Sequence, residues 1–173
     1  LFTEFAVGLR ESAEAAPVPL SAMGFGASQV LPLIVQCVKA KPGSLVIVEQ
    51  PELHLHPRAQ ADLTDLFIAM ARQGTHFLIE THSEHLLLRL RRRIAESAVE
   101  QISDDSPVRF TSQDLRCYFV ERMEGVSVIE PIEINNLGKM SSPPGFRSFF
   151  ADDLRELALL NQAILSVQSD GAV

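Results

Sequence analysis

The run Ser44-Leu45-Val46-Ile47-Val48-Glu49-Gln50-Pro51-Glu52-Leu53-His54-Leu55-His56-Pro57 constrains this chain more than any other segment. Four apolar residues bounded by Gly43 and Pro51 read as a central strand of a parallel sheet over residues 44–49. The carboxyl end of such a strand is where α/β folds place their ligands. Glu49 and Glu52 are therefore expected at the edge of a sheet and not in its core. An acidic residue before a proline turn ends many strands, so the flanking segments decide what this one does.

Upstream, Gly24-Phe25-Gly26-Ala27-Ser28-Gln29 runs into the apolar stretch from Val30 to Val38, a glycine-containing loop leading into a helix over about 28–40. A helix start preceded by small residues leaves backbone N–H groups to meet phosphate oxygens. Downstream, His76-Phe77-Leu78-Ile79-Glu80-Thr81-His82-Ser83 reads as a second buried strand, 75–81, with a polar tip. There the imidazole of His82 is placed to donate a hydrogen bond to a phosphate.

In this order the three pieces resemble the second half of an ABC-type ATPase head of the RecF, SMC and OLD kind. In that family a signature loop, a Walker B strand, a D-loop and a switch histidine follow one another. Gln29 precedes Glu49 by 20 positions and His82 follows it by 33, both close to the family's spacing. The chain also resembles bacterial AAA/ABC ATPases that carry the Glu-Gln-Pro-Glu-Leu-His-Leu-His-Pro string and a short C-terminal domain of unknown function. The end of that domain resembles Ser142-Pro143-Pro144-Gly145-Phe146 and Phe149-Phe150-Ala151-Asp152-Asp153.

The resemblance covers most of residues 21–153 and implies ATP and Mg2+ as cofactors. It assigns Glu49 to the metal; Glu49, Gln50, Glu52 and His82 to catalysis; and Gly26, Ala27, Ser28, Gln29 and His56 to nucleotide binding. His56 stands in the place of the D-loop acid that reaches across to a partner subunit. A nucleotide-gated homodimer is implied too, with ATP held between Walker A of one subunit and the signature-like loop of the other.

Two departures and one omission qualify that expectation. Most ABC ATPases follow the Walker B acid with a glutamate that polarises the attacking water, whereas this chain has Gln50. An amide cannot accept the proton, so slow hydrolysis is expected unless Glu52 or a phosphate oxygen takes that role. The signature is Gly26-Ala27-Ser28-Gln29 in place of Ser-Gly-Gly-Gln, which keeps Ser28 and backbone amides for phosphate. No Gly-x-x-x-x-Gly-Lys-Ser/Thr occurs in the 173 residues, and the chain opens at Leu1. The expectation is the C-terminal part of a longer ATPase, without its Walker A lobe and inactive alone. Two other readings stay open: an ATP-gated binding module with little turnover, and a regulatory ATPase subunit serving a nuclease or toxin effector in phage defence.

Composition narrows the classes. At 46% hydrophobic residues the chain can bury a real core. A net charge of −7 argues against a general nucleic-acid coat. Cys37 and Cys117 lie far apart within apolar segments, as buried free thiols of a reducing, cytoplasmic protein would. No apolar run approaches the roughly 20 residues a membrane span needs.

The organisation predicted is α/β: a mostly parallel sheet of a P-loop NTPase lacking its Walker A lobe, followed by a hairpin and a helix. Residues 1–20 form a linker or lobe remnant broken by Pro17 and Pro19; 21–100 carry the ATPase core; 101–173 form the C-terminal part. Helices over 58–73 and 83–98 complete the alternation. The segments Arg116–Arg122 and Val126–Glu130 flank a glycine turn, and a last helix over about 147–167 carries Phe150, Leu154, Leu157, Leu160 and Ile164 on one face. His54 and His56 with His82 and His85 suggest zinc, but the Walker B resemblance already accounts for that loop. Arg89, Arg91, Arg92 and Arg93 suggest a DNA contact, against which stands the plainer reading of cations at the end of a solvated helix.

Overall fold

A computed structural model describes residues 8–10, 12–22, 24–99, 102–141 and 146. The chain divides into two compact units, Leu1–Phe110 and Thr111–Val173.

The first unit begins with a two-residue antiparallel pair, β1 (Gly8–Leu9) with β2 (Val18–Pro19). Then α1 (Phe25–Lys39), β3 (Leu45–Glu49), α2 (Pro57–Arg72), β4 (His76–Glu80) and α3 (Glu84–Ala98) alternate as the sequence predicts. Local chemistry sets the helix starts. Pro57 supplies the fixed φ of a first helical residue, and His56 caps α2 by accepting the Arg58 N–H on Nδ1 at 3.3 Å. Ser83 caps α3 in the same manner, its Oγ accepting from the Leu86 N–H at 3.1 Å.

The helix expected from residue 28 starts three residues earlier, at Phe25. The extended Gly24 turns the chain, and its carbonyl accepts the Ala27 N–H at 3.0 Å, which closes the first turn. Gly26, Ala27, Ser28 and Gln29 therefore belong to the helix and not to a loop ahead of it.

β3 and β4 run parallel in register from Leu45↔His76 to Glu49↔Glu80. One face of the pair, with Val46, Val48, Phe77 and Ile79, turns toward the helices. A core of Cys37, Leu63, Phe67 and Leu86 lies there, with the Phe67 and Phe77 rings 5.1 Å apart. Each large side chain so buried stabilises the fold by about 2 kcal/mol.

Expected as a central strand of a parallel sheet, β3 pairs with β4 alone among the described residues. Leu45, Ile47 and Leu78 on the opposite face are about 60% exposed, and among the described residues β3 and β4 form a two-stranded sheet. All three helices take up one face, so the period-two alternation survives in exposure even though the strand sequence is apolar throughout.

Cys37 is fully buried and Cys117 half-buried, both as free thiols; burial pushes each above its ordinary pKa. After α3 the chain stays fastened to this unit. Arg72 donates to the Asp104 carbonyl at 2.8 Å, and the Phe110 N–H donates to Ser97 Oγ at 3.1 Å.

The second unit holds the antiparallel pair β5 (Cys117–Met123) and β6 (Val126–Ile132). Glu124 and Gly125 link them with φ of 50° and 87°, the left-handed pair that matches strand twist in a two-residue hairpin. Phe119 meets Phe146 edge-on at 5.6 Å, and Ile132 and Phe146 are buried. The helix expected over 147–167 and the segments Ser142–Gly145 and Phe149–Asp153 lie outside the described residues. Among those described, no helix is long and apolar enough to cross a membrane.

Candidate functional site

The strand register assembles the site. Because β3 and β4 are in step to their last residues, Glu49 and Glu80 end side by side. Both lie on the face away from the core, exposed, together with Leu45, Ile47 and Leu78. The ladder continues one residue further, the Gln50 N–H donating to the Glu80 carbonyl at 2.9 Å. Gln50 then takes a left-handed conformation, φ 45°, and its carbonyl accepts the Leu53 N–H at 3.2 Å. A left-handed non-glycine residue costs about 1 kcal/mol, so the surrounding bonds hold Gln50 where the chain would not put it by itself.

Glu52 follows in that turn and is buried, at 9% exposure. One of its oxygens accepts the Thr81 hydroxyl at 2.7 Å and the other the His82 N–H at 2.7 Å. Thr81 Oγ1 in turn accepts the Ser83 N–H at 3.0 Å, and the Ser83 hydroxyl donates to Gln60 Oε1 at 2.5 Å. Gln60 closes the circuit by donating Nε2–H to the Leu55 carbonyl at 2.9 Å. This polar network ties the loop after β3 to the exit of β4 and to α2, so the two strand tips move as one body. With both oxygens of Glu52 committed to the fold, the geometry argues against it as the acceptor of a proton from water.

His82 sits above this strut with its Nε2 3.2 Å from Glu80 Oε1, both side chains about half exposed. The structure thus brings together Glu49, Gln50, Glu52 and His82 as the sequence placed them, and adds Glu80. Sequence reasoning missed Glu80. The signal was available, since Glu80 ends its strand as Glu49 ends the other.

Gly26, Ala27, Ser28 and Gln29 form a second group, built on the first turns of α1 and the loop after β3. A Cβ on Gly26 would lie 2.5 Å from the His54 carbonyl oxygen, so only glycine permits that approach. The Phe25 ring meets His54 edge-on at 5.3 Å. Among the described residues no side chain caps this helix end, and the Ser28 hydroxyl donates back to the Phe25 carbonyl at 2.8 Å. His56 acts here as the α2 cap.

Among the described residues no three His, Cys, Asp or Glu side chains gather to hold a metal. Of the four histidines the sequence suggested for zinc, His54 meets the Phe25 ring and His56 caps α2. Mg2+ asks less of the protein, one or two carboxylates with phosphate oxygens and waters completing the octahedron. Glu49 with Glu80 beside it fits that demand, and two adjacent like charges are otherwise unfavourable on neighbouring strands.

Three of the α3 arginines pair with carboxylates of the same unit. Arg89 pairs with Asp62 and with Asp65 at 2.5 Å, Arg93 with Asp65 and Glu96 at 2.7 Å each, and Arg92 with Glu96 at 2.5 Å. Hydrogen bonding to Asp65 holds Arg93 above its ordinary pKa against the opposing effect of burial, with Glu96 adding to it. Burial by itself would raise the Glu96 pKa, but the bonds from Arg92 and Arg93 outweigh it and leave the carboxyl below its usual range.

The family described as "AAA domain, putative AbiEii toxin, Type IV TA system" matches residues 3–89. A solved structure described as "Structural biochemistry of ATP-driven dimerization and DNA stimulated activation of SMC ATPases" is similar at 14% identity over 87% of this chain and 80% of that one, with a TM-score of 0.48. No curated protein matches in sequence.

Proposed function

Since the chain belongs to the family of AAA domains just described, a family of nucleotide-binding ATPases, we propose that the paired tips of β3 and β4 form the metal- and water-handling wall of an ATP-hydrolysing site. The observation that carries this is the register: Glu49 and Glu80 end together, Gln50 follows in a left-handed turn, and His82 stands on the buried Glu52. Glu49 would hold Mg2+, with Glu80 within the same small area. Mg2+, when bound, neutralises charge on the transferred phosphoryl group. Gln50 orients the water through its amide, and His82 meets the reacting end of the nucleotide. Gly26 to Gln29 offer the uncapped amino end of α1 to a phosphate in a second copy, and hydrolysis then opens the homodimer.

The expected outcome is that Glu49→Gln in the intact ATPase removes Mg2+-dependent phosphate release while ATP binding persists. Turnover equal to the parent would sink the reading.

Gln50 and the committed oxygens of Glu52 favour a second reading, a nucleotide-gated module in which ATP holds two copies together and is hydrolysed slowly. Turnover at saturating ATP separates the two. The family's description also makes a toxin partner a reasonable quarry, sought by co-purification with the product of a neighbouring gene.

A further inference from the structure

We propose that Thr81 is the positioning residue for His82, its hydroxyl setting the direction in which the backbone presents that residue at the strand tip; this rests on the reading of the strand tips as the hydrolytic wall. The Thr81 hydroxyl is bonded on both sides. It donates to Glu52 Oε2 at 2.7 Å and accepts the Ser83 N–H at 3.0 Å. The second bond spans two residues, so the side chain closes a turn with His82 at its centre. The first joins that turn to a carboxylate whose other oxygen accepts the His82 N–H at 2.7 Å. One buried carboxylate thus grips the Thr81 side chain and the His82 backbone together, and bonds to a charged acceptor are the stronger kind.

Ser83 is committed elsewhere. Its hydroxyl donates to Gln60 Oε1 at 2.5 Å and accepts the Leu86 N–H at 3.1 Å, which fixes the start of α3. Among the hydrogen bonds described, Thr81 is therefore the one hydroxyl that reaches Glu52. The turn is anchored at each end, to the loop after β3 through Thr81 and to α2 and α3 through Ser83. What these bonds fix is the backbone of His82, whatever its ring meets.

Thr81→Val keeps the shape of the side chain and removes the hydroxyl, whereas Thr81→Ser keeps the hydroxyl. In the intact ATPase, Thr81→Val should lower kcat about tenfold or more with the KM for ATP unchanged, because a displaced group costs rate before it costs binding. Thr81→Ser should recover most of the loss. Adding Thr81→Val to His82→Ala should cost nothing further, since the residue being positioned is gone. A loss as large in the His82→Ala background as in the parent would mean that Thr81 supports the fold and not His82, and overturns the proposal. Full turnover in Thr81→Val beside a loss in His82→Ala and Glu49→Gln also overturns it and leaves the hydrolytic wall standing. If Glu49→Gln and His82→Ala keep full turnover as well, the wall itself is misassigned and the positioning role falls with it.

Amide hydrogen exchange on the unaltered, nucleotide-free protein tests the turn separately. The His82 and Ser83 N–H groups should exchange at least about tenfold more slowly than those of an open chain. Exchange at the open-chain rate would leave no turn to position His82, and it overturns the proposal whether or not the valine variant folds.

Discussion

Glu52 shows how far a single residue's role can be read before its partners are known. The sequence places it correctly in the loop after a buried strand, beside the expected metal acid, and there its type alone permits catalysis. What decides otherwise lies 29 and 30 positions away: the Thr81 hydroxyl and the His82 N–H take its two oxygens. An amide at this position keeps one acceptor and turns a donor toward a donor. Glu52→Gln should therefore destabilise the first unit by about 1–3 kcal/mol, read from urea midpoints, because a buried group is left unsatisfied. A midpoint equal to the parent's would show that Glu52 is no strut. Gln50 gives the opposite case. Its left-handed φ is no harder for glutamate than for glutamine, so Gln50→Glu changes the chemistry and not the backbone. Turnover should rise, within the 10²–10⁴ range of a general base less the cost of a third carboxylate near Glu49 and Glu80, as phosphate release at saturating ATP will measure. A flat or lower rate would mean that the amide positions the water better than a base serves it.

At the scale of elements, the alternation of helix and strand is legible because its signals are local. Pro57 after His56, Ser83 before Glu84 and the apolar runs between turns each act within a few residues. Two features escaped for the same reason. The start of α1 depends on Gly26 passing the His54 carbonyl, and the sidedness of β3 depends on three helices choosing one face. The arginine row of α3 was ambiguous for a related cause: a run of like charge looks the same whether its partners are solvent, phosphate or the neighbouring helix. Asp62 and Asp65 on α2 join Arg89 and Arg93 in a bridge between helices, while Glu96 pairs with Arg92 and Arg93 within α3. A pH test follows. Glu96 has a folded pKa below its unfolded value of about 4.3, so its pairing contributes in full above that value and is lost as pH falls through the depressed one. Glu96→Gln should cost about 1 kcal/mol at pH 7 by thermal or urea unfolding, and the difference from the parent should shrink as pH falls through the depressed value. A difference that persists undiminished in acid would assign the loss to packing instead.

For the molecule as a whole, the proposed site is one wall, and the amino end of α1 offers the means of completing it from a second copy. That end carries Phe25 at 76% exposure, a first turn without a side-chain cap among the described residues and the exposed Gln29, with Phe25 and Gly26 against His54 of the loop that follows β3. An exposed aromatic beside open backbone donors suits a contact made only when nucleotide is present, since donors without a side-chain cap favour an anion brought to them. Ser28→Arg tests the idea without touching the core. Ser28 is partly exposed and bonds only to the Phe25 carbonyl of its own turn among the side-chain bonds described, so its loss should change stability by less than about 1 kcal/mol. A long cation in the first turn of α1 both opposes the positive pole of the helix and fills the space a phosphate would take. Nucleotide binding by the intact monomer should survive, and dimerisation on a slowly hydrolysed ATP analogue, followed by light scattering, should be abolished. A variant that dimerises on the analogue as the parent does would remove α1 from the composite site and leave the strand tips to act within a single copy.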